Sequence, residues 1–401
     1  MLYTQGKIQC NPAEVGYDEK RLEVLNNHFQ RAIDEKEIQC AMYCLSRKGK
    51  VFAHGALGKK SFRDDNTEAA QPDSVRWIAS ITKIFAAVAI MKLVEDGLTR
   101  LDVPVGEILP QFNTPPYNGI TLFHLLTHSS GMHADGGCYE NQHQTNYWAM
   151  IDKAYKLHKL ENKSDEEFDW IAASLSTIGS GLHVKTGSQW AYCSFGFVII
   201  GAVIEKLTGI HANKYVEDFI CKPLGMKDTA FDLTPETAKR CIIGDEDGET
   251  YTQDVINGTQ KPGWIGDILN LPSLGGGLLS TASDLVKFGN MILHKGTFDN
   301  VRILGRKAVE KATKTNVSLP DFCWNAGGGI RNYGVGFDRR NGPQFTFSDS
   351  AFMHEGAGAC ALYIDPDEEL VASWIVPYVN GDGWYPRVMY NPQNIIWSGL
   401  L

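Results

Sequence analysis

The sequence predicts an α+β fold: an antiparallel sheet flanked by helices and built from both ends of the chain, with an all-helical lobe inserted between them. Three observations carry this expectation. Residues 41–46 and 51–55 are apolar runs around Arg47-Lys48-Gly49-Lys50, which predicts a hairpin near the N-terminus. Residues 359–364 and 370–376 repeat the pattern around Asp365-Pro366-Asp367 near the C-terminus. Between them, roughly 104–270 mixes helical stretches with loops rich in Trp, Tyr, His and Gly. Strand pairs at the ends with helices between fit one sheet fed by both termini. The chain therefore reads as a single domain over 1–401. Its α/β lobe comes from about 14–103 and 275–401, and its helical lobe from about 104–274.

The helices follow from spacing. Over 17–36, Leu22, Leu25, Phe29 and Ile33 fall on one face, so this segment packs beside the first hairpin. Residues 77–96 are apolar almost all round, which predicts a buried helix closed by Gly97. A second apolar helix is expected at 195–207. The 401 residues carry a net charge of −9 and no basic run, which argues against nucleic acid as the main partner. The longest apolar stretch, 84–94, is broken by Lys92 and falls well short of the about 20 residues of a membrane span. Nine cysteines without C-x-x-C pairs, and no apolar leader in the first ten residues, lead to the expectation of a reduced, cytoplasmic compartment.

Several chemical templates are missing, among them the P-loop, the dinucleotide-binding glycine motif and G-x-S-x-G. His124 and His128 have i, i+4 spacing but lack the H-E-x-x-H glutamate and an evident third ligand, so no metal is expected. One pattern stands out, Ser80-Ile81-Thr82-Lys83. It opens the most apolar helix, where i, i+3 spacing stacks the hydroxyl on the amine. A lysine at that depth is costly to bury unless something uses it. A serine at a helix start also has free N–H groups nearby that suit an oxyanion. The hydroxyl needs a base, and Tyr192, just ahead of the second apolar helix, is a candidate if the nearby ammonium favours its phenolate. Cys193 beside it has no evident activating partner and is not taken as a nucleophile.

Ser-Ile-Thr-Lys (80–83), Gly-Ser-Gln-Trp-Ala-Tyr-Cys-Ser (187–194) and His-Glu-Gly (354–356) resemble the three motifs of the serine β-lactamase and penicillin-binding-protein superfamily. The similarity is greatest to the branch of class C β-lactamases, D-stereospecific peptidases and family VIII carboxylesterases. Segments 125–131, 224–229, 275–285 and 333–337 fit the same branch in the same order. The resemblance implies a β-lactamase/transpeptidase-like fold with the site between two lobes. It implies Ser80 as the acylated nucleophile, Lys83 as its proton partner and Tyr192 as the second acid/base group. It places the oxyanion hole at the backbone N–H groups of Ser80 and Ala357, and implies no cofactor.

Departures from the family pattern bear on substrate. Ser194 stands where many relatives have the asparagine of Tyr-x-Asn. His354-Glu355-Gly356, preceding the C-terminal strand pair, replaces the usual Lys-Thr-Gly, while the literal Lys185-Thr186-Gly187 lies in the lead-in to Tyr192. Ser194, His354 and Gly356 are the expected substrate contacts. A mostly neutral His354 holds a substrate carboxylate less firmly than lysine would, which favours small esters or uncharged amides over β-lactams. Of Tyr139, Trp148, Trp170, Trp264 and Trp324, most are expected to pack and one or two to line the acyl pocket. The expected activity is that of a carboxylesterase-like serine hydrolase working through an acyl-enzyme, with weak β-lactamase or D-peptidase activity in range. The alternatives are an acyltransferase using the same intermediate and a catalytically silent ligand-binding module.

Overall fold

The computed structural model describes residues 2–135, 147–161, 169–178, 181–259, 271–323, 329–377 and 386–401. In chain order, the elements that frame the site are β1 (Tyr3–Gln5), α1 (Lys20–Asp34), β2 (Cys40–Arg47), β3 (Lys50–Gly58) and α2 (Thr82–Glu95). They continue with α3 (Phe195–Thr208), α4 (Ala282–Leu293), β4 (Phe352–Gly356), β5 (Cys360–Asp365), β6 (Leu370–Ile375) and α5 (Asn391–Trp397). The six strands form one antiparallel sheet in the order β1-β3-β2-β6-β5-β4. Its centre is the pairing of β6 with β2, where Trp374 faces Tyr43 and Ser373 faces Cys44. The two ends of the chain therefore meet in one layer, as the paired hairpins predict. Between residues 78 and 278 the described residues contain helices and no strand of a sheet.

The pleat explains why the central strands are buried from end to end. Cys40, Met42, Cys44, Leu362, Ile364 and Val371 face a core shared with α2 and α4. Ala41, Tyr43, Leu45, Tyr363, Ala372 and Trp374 face a second core closed by α1 and α5. Alternate residues point to opposite faces, and both faces are covered, so the strands read as continuous apolar runs. In the second core the Tyr363 and Trp374 rings stack at 5.1 Å between centroids, a contact worth about 0.5–1.5 kcal/mol beyond burial. The first hairpin turns through Lys48 and Gly49, with φ of 53° and 74°. Two left-handed residues make the tight turn whose twist matches the strands.

The expected 17–36 helix is Lys20–Asp34, burying Leu25, Phe29 and Ala32. The expected 77–96 helix divides: Ala79–Ile81 is a 3₁₀ turn and the α-helix begins at Thr82. Eleven of its fourteen residues, Lys83 among them, are buried. Gly97, with φ of 74°, follows its end as expected. His354-Glu355-Gly356 precedes the β5–β6 pair, as expected, and is itself the end of a further strand, the edge strand β4. Among the described residues no single helix is long and apolar enough to cross a membrane. The apolar α3 is a core helix, buried from Phe195 through Ile204.

Candidate active site

The site grows from the turn ahead of α2. Ala79 has a φ of 44°, a strained value for a residue with a side chain, and Ser80 follows it. The first intrahelical bond runs from Ile81 N–H to Ile78 O, so the Ser80 N–H comes ahead of it in an unsatisfied first turn. Thr82 Oγ1 donates to Ala79 O at 2.7 Å and accepts Leu278 N–H at 3.1 Å, which ties the turn to the 275–278 loop. Lys83, one turn on, donates from Nζ to Ser80 Oγ at 3.2 Å and to the Gly275 carbonyl. Its side chain is wholly buried, and that burial pulls the ammonium down to about 8, with Asp135 pulling the other way.

Tyr192 hydrogen-bonds to the Ser80 side chain, and Lys83 Nζ lies 4.8 Å from the centre of its ring. Ser80, Lys83 and Tyr192 are thus brought together. Burial drives the Tyr192 phenol well above its ordinary value, reinforced by Tyr333 and Asp135, which works against the phenolate considered from the sequence. Desolvation disfavours both charged forms here, so the amine, not the phenolate, is the group that reaches basicity near neutrality. The phenol is held by the 127–131 loop. Ala191 N–H donates to His128 O at 2.8 Å, Cys193 N–H donates to His128 Nδ1 at 3.0 Å, and the His128 and Tyr192 rings lie 4.2 Å apart. His124 instead caps the helix Leu122–Leu126, taking the Thr121 N–H, and His128 lies past that helix at a φ of 53°. The two imidazoles therefore do not share a helix face. Lys185-Thr186-Gly187 braces the same loop, through Thr186 Oγ1 to Ser130 O and Gly187 N–H to Ser129 O. Cys193 is buried and its thiol is pushed up to about 12, which leaves it unreactive.

On the other side of the turn, β4 packs directly on the nucleophile. A Cβ on Gly356 would come within 2.2 Å of Ile78 O, so only glycine lets the strand approach this closely. Gly356 is therefore a packing contact of β4 on the Ser80 turn. The chain leaves β4 in a turn at Ala357, an exposed residue next to Gly356. His354 is 5% exposed, its Nδ1 paired with Glu355 O at 2.8 Å, and burial brings the imidazole down to about 3. A neutral, buried imidazole does not grip a substrate carboxylate. Glu355 points to the opposite face, where Arg340 and the Tyr363 hydroxyl bind its carboxylate. Arg340 also meets Asp338 at 3.0 Å, and Asp338 meets Arg331 at 2.6 Å, a buried charge network that pins the strand.

Ser194 N–H and Oγ–H both go to the Asp135 carboxylate, at 2.7 and 2.5 Å, so its hydroxyl is engaged by protein. Sequence reasoning missed Asp135, which lies 59 residues from Ser194 and belongs to no motif. Trp170 is half-buried against the main core; Tyr139, Trp264, Trp324 and the side chain of Trp148 lie outside the described residues.

The burial of His354 gives a direct expectation. His354→Lys places a second ammonium beside Lys83 and is expected to destabilise the fold by on the order of 3 kcal/mol, read from denaturant unfolding. It should not improve turnover of nitrocefin. Unchanged stability together with faster nitrocefin hydrolysis would support His354 as a substrate contact.

The Beta-lactamase family profile matches residues 25–396. Esterase EstB of Burkholderia gladioli is 29% identical over 247 residues, 58% of this chain and 57% of that protein. The structure is similar to a penicillin-binding protein homolog from Caulobacter crescentus, with a TM-score of 0.72 at 17% identity over 98% of this chain and all of that one. It is also similar to a family VIII carboxylesterase, with a TM-score of 0.68 at 17% identity over 97% of this chain and 99% of that one. The chain belongs to the Beta-lactamase family of serine hydrolases.

Proposed function

We propose that this chain hydrolyses small, uncharged esters or amides through an acyl-enzyme on Ser80. The observation that carries it is Lys83 Nζ at 3.2 Å from Ser80 Oγ, with its ammonium brought down to about 8. About a tenth of such an amine is neutral at pH 7. Neutral Lys83 takes the Ser80 proton as Oγ bonds to the substrate carbonyl carbon. The oxyanion that forms meets the N–H groups of Ser80 and Ala357. As the tetrahedral intermediate collapses, the Tyr192 phenol, still protonated and bonded to Ser80, gives a proton to the leaving oxygen or nitrogen. Tyr192 is then recharged by the Lys83 ammonium, and water reverses the sequence to release the acid.

Buried, neutral His354 and the anionic environment near Asp135 support uncharged acyl groups over those bearing a carboxylate. The name of the Burkholderia relative supports ester substrates. The eight described cysteines are all free and buried, which supports a reducing, cytoplasmic setting. A fluorophosphonate probe with intact-mass analysis should add one adduct, on Ser80. A panel should then show p-nitrophenyl esters of short acids turned over faster than nitrocefin. Lack of labelling in folded protein would favour a silent binding module.

The same mechanism fixes the pH profile. Only neutral Lys83 accepts the proton, so kcat/KM should fall as pH drops below about 8, roughly tenfold per unit. A profile flat from pH roughly 6 to 9 would remove Lys83 as the base.

A further inference from the structure

Lys83 is a wholly buried cation whose two hydrogen-bond partners, the Ser80 hydroxyl and the Gly275 carbonyl, carry no charge. A buried ammonium without an opposite charge nearby is strongly disfavoured. Asp135 makes no direct ion pair with Lys83, but it sits behind Ser194, which packs against the Gly275 that Lys83 bonds, and can supply that charge through space. Its backbone N–H donates to Tyr192 O at 2.7 Å, which lays the 135 backbone against the residue whose ring sits under Lys83 Nζ. Its two carboxylate oxygens each accept one donor from Ser194, bonds that favour the ionised form against burial. Ser194 stands where many Tyr-x-Asn relatives have a neutral amide.

We propose that Asp135 is the counter-ion of Lys83, a positioning residue that sets how readily the amine accepts the Ser80 proton. The inference rests on the serine-hydrolase mechanism above and adds to it a group that need not touch substrate. Asp135 opposes the downward pull of burial on Lys83, and Lys83 in turn restrains the burial-driven rise of the Asp135 carboxyl. The other titratable groups around the amine stay out of the relevant range. His128 is held well below its ordinary value, His354 lies at about 3, Cys193 at about 12, and Tyr192 well above 10. Arg331 and Asp338 act from behind His128, His354 and Tyr192 and are paired with each other. The limb near pH 8 therefore belongs to Lys83.

The sign follows. Removing the anion removes the largest force that keeps the ammonium protonated against burial, so Lys83 becomes neutral at lower pH. In Asp135→Asn the acid limb of kcat/KM for a p-nitrophenyl ester should move down by about one unit. The rate at pH 6 relative to the plateau should rise about tenfold, and the pH dependence of fluorophosphonate labelling should shift with it. Asp135→Glu, which keeps the charge, should restore the wild-type limb. If the asparagine variant does not fold, Asp135→Ser is read in the same way. A limb that stays in place while kcat falls would mean that Asp135 only holds Ser194, and a limb that moves up would contradict the charge pairing; either overturns the proposal. Failure of the wild type to label at Ser80, or to show the limb at all, is a different result and would overturn the underlying mechanism.

Discussion

Ser80→Ala is expected to abolish fluorophosphonate labelling and to lower kcat by on the order of 10⁴ or more. The hydroxyl is the point where the two proton-handling groups converge, since Lys83 Nζ and the Tyr192 phenol both bond to it. Without it no covalent acyl-enzyme forms, and what remains in the proposed mechanism is water attacking a carbonyl polarised by the backbone N–H groups of residues 80 and 357. The backbone donors survive the substitution, so residual hydrolysis above the uncatalysed rate is expected. The fold should survive as well. Ser80 is only partly buried, its 3₁₀ turn is held by Thr82 and Leu278, and Lys83 retains the Gly275 carbonyl. Loss of one hydrogen bond to a charged group predicts a stability change of about 1–3 kcal/mol, measurable by thermal unfolding. Labelling that persists in Ser80→Ala, at Ser194 or Cys193, would identify a different nucleophile.

How far the sequence discloses this site depends on whether a residue acts through its neighbours in the chain or across it. The apolar run 77–96 contains Ser80 and Lys83 one turn apart, and local periodicity is enough to pair them. The hairpins are equally legible, because a left-handed turn such as Lys48-Gly49 marks itself by composition. β4 is less so. It is short, lies at the sheet edge and alternates a buried imidazole with a carboxylate that is bound from the opposite face, a pattern without apolar periodicity. Its packing on Ile78 is a long-range contact that only the closed sheet creates. Asp135 illustrates the same limit. Nothing near it in sequence distinguishes it from a loop aspartate, and it becomes significant only when the backbone at 135 is laid against 192–194. The direction of the tyrosine shift was out of reach for a related reason. Proximity of an ammonium argues for phenolate, but burial acts on both partners, and its magnitude is set by the whole core.

Lys83→Met and Tyr192→Phe should each lower kcat by about 10²–10⁴, and the double variant by far less than the product. In the mechanism the two groups move one proton in succession, Lys83 from the Ser80 hydroxyl and Tyr192 to the leaving group, so once either is absent the other has little left to contribute. Tyr192→Phe keeps the ring against His128 and under the α2 core, so its loss is chemical and not structural. Lys83→Met carries a second expectation, opposite in sign for stability. It replaces a buried ammonium with an apolar chain of similar length inside a helix whose other core-facing residues are almost all apolar. Exchanging a buried charge for apolar packing is neutral or stabilising, by about 1–4 kcal/mol in favourable cases, less the hydrogen bond lost by the Gly275 carbonyl. Asp135 would then be left without its counter-charge and offset part of that gain. Combining Lys83→Met with Asp135→Asn should recover that part, which makes the pair measurable by unfolding alone. Strictly multiplicative losses in kcat would assign Lys83 and Tyr192 to independent steps. A Lys83→Met protein much less stable than wild type would mean that the amine is part of what holds the fold, not a group retained against stability for its chemistry.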